Sequence, residues 1–171
     1  MSMTIDYATV EPIQVAIYQK MNADSDHLLR SYDWWAEPLT ITYDKNSKRV
    51  DGSTRIFLGS YTTDNGKTLV RVTEAEDYLL ACNDDRKIIK QLESWSKSYS
   101  ISWKVDVSGE PLGNIVNGQT DKEVYEFVNW YCEKSQLPES AIPELLKKFE
   151  SRKEPIPPKV SQAKDSWWKF W

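Results

Sequence analysis

The stretch "YSISWKVDV", residues 99–107, alternates apolar and polar side chains from end to end. Tyr99, Ile101, Trp103, Val105 and Val107 fall on one side, and Ser100, Ser102, Lys104 and Asp106 on the other. Period-2 alternation predicts a strand with one buried and one solvated face, which belongs to an antiparallel or mixed sheet rather than a doubly covered parallel one. A slip of one residue would bury Lys104 and Asp106, so the register is strongly specified.

Upstream, "NDDRKIIKQLESWSKS" predicts a helix, with Asn83 as cap, Asp84 and Asp85 at the positive end of the dipole, and Ile88, Ile89, Leu92 and Trp95 as its buried stripe. Downstream, "SGEPLGNIVNGQ" reads as a loop. The "TDKE" box at Thr120–Glu123 then opens a helix whose apolar face is Val124, Phe127, Val128, Tyr131 and Cys132. "LPESAIPELLKKFESRK" gives another, capped at Ser140, with Leu145, Leu146 and Phe149 inward.

In the first half, "EPIQVAIYQKMN" fits a helix, with a strand through Val15 and Ile17 as the alternative. A second helix, capped at Asp24 or Ser25, follows in "DSDHLLRSYDWW" and stops before Pro38. "LTITY" (39–43) alternates as a half-buried strand does, and "DKNSKRVDGS" is a charged turn region. "TRIFLGSY" and "KTLVRVT" form a hairpin through "TTDNG", where Asn65-Gly66 supplies positive φ. The expected architecture is one α+β domain over residues 1–154, with helices packed on a mostly antiparallel or mixed sheet of about four strands. Residues 155–171 form a proline-rich spacer and an aromatic tail, "DSWWKFW" at its end.

Composition narrows the function classes. The net charge is −4, carried unevenly: residues 141–171 hold seven Lys/Arg and four Asp/Glu, leaving 15 and 22 upstream. An acidic body with a mildly basic aromatic tail argues against nucleic acid as the partner. The chain has no signal-like apolar run and no stretch long enough to span a bilayer, so a cytoplasmic location is expected and membrane attachment is not. Cys82 and Cys132 belong to no CxxC pair, and two buried thiols are expected in preference to a disulfide.

Motifs with chemistry are sparse. "GSYTTDNGKT" has six residues between Gly59 and Gly66 where a phosphate-binding loop has four, so a hairpin is the better reading. "GEPLGNIVNG" lies between strand and helix, where ligands often bind, but Asp121 and Glu123 would repel a phosphate. His27 is the only histidine, which leaves no His-rich metal site, and no cofactor motif or catalytic constellation is expected. Clustered acids at 74–77 and 83–85 suit helix starts without any chemistry.

The eight tryptophans are the strongest lead. Trp34 and Trp35 are adjacent, so one ring should enter the core and the other lie at a groove, unless loops cover both. Together with Trp167, Trp168, Phe170 and Trp171 they are the expected partner-binding residues. The sequence therefore points to a non-enzymatic protein-interaction module, an acidic inhibitor or immunity-type protein for a basic partner, with its aromatic tail folded back onto its own domain or onto a symmetry mate in a homodimer, or else offered to a different protein. The alternative is a small-ligand protein or enzyme, for example a carbohydrate binder, using carboxylates and tryptophans in a sheet–helix pocket.

Overall fold

The computed structural model describes residues 2–32, 34–35, 37–57, 61–62, 68–70 and 73–150. These form an α+β fold: a six-stranded antiparallel sheet with helices packed on one face. The strands are β1 (Ser2–Thr9), β2 (Thr42–Asp44), β3 (Arg49–Phe57), β6 (Trp103–Val107), β7 (Glu110–Val116) and β8 (Gln119–Thr120). Their spatial order is β2-β3-β1-β6-β7-β8. A separate pair, β4 (Tyr61–Thr62) and β5 (Thr68–Val70), is antiparallel; the Asn65-Gly66 turn expected between them lies outside the described residues.

The alternation in "YSISWKVDV" orients the whole sheet. Ile101, Trp103 and Val105 are buried, Val107 packs against the core, and Lys104 faces out. Pairing begins only at Trp103, because Tyr99 ends the preceding helix and Ser100 turns the chain with φ 53°. Trp103 sits between Tyr7 and Trp95, at centroid distances of 6.2 and 6.1 Å.

Three strands outside the expected set, β1, β7 and the short β8, complete the sheet. β1 lies at its centre, pairing β3 on one side and β6 on the other, with Ile5, Tyr7 and Thr9 buried. β7 occupies most of the expected 108–119 loop. Two tight turns make it possible: Ser108-Gly109 (φ 51° and 86°) joins β6 to β7, and Asn117-Gly118 (φ 52° and 74°) joins β7 to β8. Two-residue turns with positive φ at both positions match the twist of antiparallel strands. The segment expected as a structural loop is thus the middle of a β-meander.

Helix α1 (Val15–Ser31) runs unbroken through both helices expected in the first half. Asp24 and Ser25 are therefore not caps. Ser25 Oγ donates to the Leu39 carbonyl at 2.8 Å, and Asp24 accepts from the Trp95 indole at 2.8 Å. α2 (Glu74–Tyr99) starts nine residues before Asn83, because Thr73 and Glu76 form a capping box there. Asn83, Asp84 and Asp85 consequently sit mid-helix, where dipole compensation no longer accounts for them.

α3 (Lys122–Ser135) has Asp121 at its N-cap, whereas the Thr120 hydroxyl is drawn away to Glu93 at 2.6 Å. Val124, Val128 and Tyr131 are buried as expected. Ser140 lies within a 3-10 turn (Glu139–Ala141) rather than at a cap; the turn leads into α4 (Ile142–Glu150), where Leu145 is buried.

The expectation of two separate thiols fails. α2 and α3 pack side by side and bring Cys82 and Cys132 to a Cα separation of 5.7 Å, joined as a disulfide. That spacing lies in the range a disulfide requires. Contact between helices 50 residues apart in sequence is a tertiary fact that Cys spacing does not encode.

Candidate interaction face

Because α1, α2 and α3 pack on the odd-numbered side of β1 and β6, the even-numbered side is free of helices among the described residues. Register decides which side chains share this face. Asp6 of β1 stands opposite Ser53 of β3 and Asp106 of β6. One rung along, Ala8 stands opposite Asp51 and Lys104, and Asp51 opposite Thr42. Three carboxylates from three adjacent strands, Asp6, Asp51 and Asp106, thus line one depression of about 340 Å³ with Thr40, Thr42 and Ser53.

The electrostatics are unbalanced. Asp6 and Asp106 form a like-charge cross-strand pair, which opposes sheet stability. Partial burial first, and the Asp106 charge second, raise the Asp6 carboxyl above its ordinary range. Lys104 Nζ reaches Asp106 Oδ2 at 3.1 Å, while Asp106 Oδ1 is buried without a hydrogen-bond partner among the described residues. Asp51 accepts from the Thr42 hydroxyl.

Beneath the depression, on the helix-packed side of the sheet, Gly52 stands opposite Tyr7. Tyr7 lies across it and donates from its hydroxyl to the Thr40 carbonyl at 2.8 Å, while the Thr40 N–H returns a bond at 3.3 Å. A Cβ at position 52 would overlap the Thr40 carbonyl oxygen and the Tyr7 ring. Burial, foremost, pushes the Tyr7 phenol up to about 12, so it stays a neutral donor through the physiological range.

The residues expected to bind a partner lie elsewhere. Trp34 and Trp35 are 4% and 7% exposed, so both rings are covered. Trp34 joins the main core, under the sheet and helices. Trp35 enters a smaller cluster with Leu79, Leu80 and Leu145. Its backbone N–H donates to Asp84 Oδ2 at 2.7 Å and its indole N–H to Asp77 Oδ1 at 3.0 Å, fastening the 34–41 segment to α2. Neither ring lines the sheet-face depression. Trp167, Trp168, Phe170 and Trp171 lie outside the described residues.

His27 Nε2 is 3.2 Å from the Ser31 hydroxyl on the same helix, and no group of three potential ligands among the described residues is placed to hold a metal ion. No described helix is long and apolar enough to cross a membrane. No protein-family model, curated protein or solved structure matches this chain.

The acidic face escaped the sequence reading for a specific reason. Alternation marks Asp106 as solvated, but its neighbours Asp6 and Asp51 come from strands about 50 to 100 residues away, a proximity that no local pattern encodes.

Proposed function

We propose that the protein is a non-enzymatic interaction module that engages a basic partner through the helix-free face of its sheet. The observation that carries this reading is the grouping of Asp6, Asp51 and Asp106 on three adjacent strands of that face. Leaving like charges opposite one another costs stability, and a cationic partner would relieve that cost on docking. The acidic balance of residues 1–140 would steer such a partner toward the face. A homodimer through this face is disfavoured, since a two-fold axis would set the same carboxylates against each other. The aromatic residues Trp167, Trp168, Phe170 and Trp171 are a second candidate contact with the partner.

The small-ligand alternative asks for carboxylates and tryptophans in one pocket. The sheet-face depression has the carboxylates but no tryptophan among its described lining residues, which favours a protein partner over a sugar. The Cys82–Cys132 bond favours an oxidising compartment over the cytoplasm expected from the sequence.

Comparative affinity capture from the source organism tests the proposal, using wild type, the Asp6→Asn/Asp51→Asn/Asp106→Asn triple variant, and a chain lacking residues 155–171. A basic protein retained by wild type and lost from the triple variant is the expected result. Equal retention by the triple variant would overturn the reading, and loss only on tail deletion would move the contact to the aromatic segment.

A further inference from the structure

Mid-helix α2 carries a polar cluster that the interaction face does not use. Positions 79–85 are buried almost all round the helix, and Asp85 is 1% exposed. Both Asp85 carboxylate oxygens lack a hydrogen-bond donor among the described residues. A carboxylate in that state forfeits its hydration without replacement, which is among the costliest arrangements a core can hold. The neutral acid costs far less, since it carries no net charge to desolvate.

Position places this group at the α2–α3 contact. Cys82 bonds to Cys132 of α3, and Ile89 shares a groove with Val128 of α3. Asp85 lies three residues after Cys82 and four before Ile89, on the same stripe of α2. The charged and titratable groups around it are Asp84 on its own helix and Tyr131 on α3, with Tyr78 beside Tyr131 at 5.9 Å. Lys87 Nζ is 3.6 Å from Asp84, and Arg86 is turned to Asn129 and Glu139.

We infer that Asp85 makes the α2–α3 seam a pH-sensitive latch, closed while its carboxyl is protonated and forced open as it ionises, with the Cys82–Cys132 bond keeping the two helices tethered. The electrostatics agree in direction: burial, then the Asp84 charge, hold the Asp85 carboxyl well above the usual carboxylate range. Burial and the Asp85 charge likewise raise the Tyr131 phenol.

The sign follows from linkage. A carboxyl whose folded-state pKa is raised contributes stability that is complete below its unfolded value, near 4, and is lost as pH rises through the folded value. Opening releases one proton across that window. The open population of the seam should therefore rise about tenfold per pH unit from about pH 4 upward, and level off above the raised value.

Two measurements on the full, oxidised chain test this. A ¹³Cγ NMR titration of wild type should find Asp85 protonated well above the ordinary carboxylate range; titration within that range overturns the proposal without any variant. Hydrogen exchange from pH 5 to 9, corrected for intrinsic rates, should show pH-dependent opening in peptides covering 79–92 and 124–135. That dependence should vanish in Asp85→Asn. The same pH dependence in Asp85→Asn, or opening that spares these two segments, would also overturn it.

Discussion

Removing the Cys82–Cys132 cross-link, by reduction or as the Cys82→Ala/Cys132→Ala pair, should destabilise the protein by about 4 kcal/mol. The figure comes from chain entropy: closing a loop of 50 residues restricts the unfolded chain by about 14 cal/mol/K, or about 4 kcal/mol at 25 °C. For 171 residues, the unfolding entropy near 60 °C is about 360 cal/mol/K, so the midpoint should fall by about 11 °C. The bond has leverage because its loop spans most of α2, the β6–β8 meander and most of α3. Without it, side-chain packing and the Arg86–Asn129 hydrogen bond hold α2 and α3 together around Asp85. Thermal and urea denaturation of oxidised, reduced and double-Ala protein measure the effect, with thiols counted in denaturant. Two free thiols in protein isolated without reductant, or a midpoint that reduction leaves unmoved, would refute the reasoning.

Three further outcomes follow from the packing of the sheet. Trp103→Ala should cost about 3–5 kcal/mol in urea denaturation, the range for deleting a large core aromatic; Trp103→Phe should cost less, because the indole N–H has no hydrogen-bond partner among the described residues to lose. Gly52→Ala should destabilise by more than about 1 kcal/mol in urea denaturation, since the new methyl would overlap the Thr40 carbonyl oxygen and the Tyr7 ring. Asp6→Asn should stabilise the fold by about 0.2–1 kcal/mol at pH 7 by ending the repulsion with Asp106, and the gain should disappear by about pH 3. The sign holds because the folded state favours protonated Asp6, so wild type recovers that stability as pH falls below the ordinary carboxylate value. Thermal melts at the two pH values check it.

The sequence was most legible where one local rule was satisfied without competition. "YSISWKVDV" alternates strictly, and the register it implied orients the whole sheet. Val124, Val128 and Tyr131 follow the helical period, and the core uses them that way. Legibility failed where signals of one kind had two meanings. Asp24-Ser25 resembles a helix start, yet both side chains are committed to distant groups, Trp95 and Leu39, and α1 runs through them. Asn83 and the two aspartates resemble a cap, yet Thr73, with Glu76, forms a better one ten residues earlier. Pro111 and Gly113 disguised β7 as a loop, although Asn117-Gly118 carried the same hairpin signature that was recognised at Asn65-Gly66. The acidic face and the disulfide were beyond local rules altogether, because each joins residues from separate elements.

The central claim is that Asp6, Asp51 and Asp106 receive a basic partner. The association rate constant of the captured partner, measured by stopped flow from about 20 to 500 mM salt, tests it most directly. Charge steering predicts a rate that falls steeply with salt for wild type, and a slower, nearly salt-independent rate for the Asp6→Asn/Asp51→Asn/Asp106→Asn variant. A wild-type rate unaffected by salt, or identical salt profiles for the two proteins, would contradict the account.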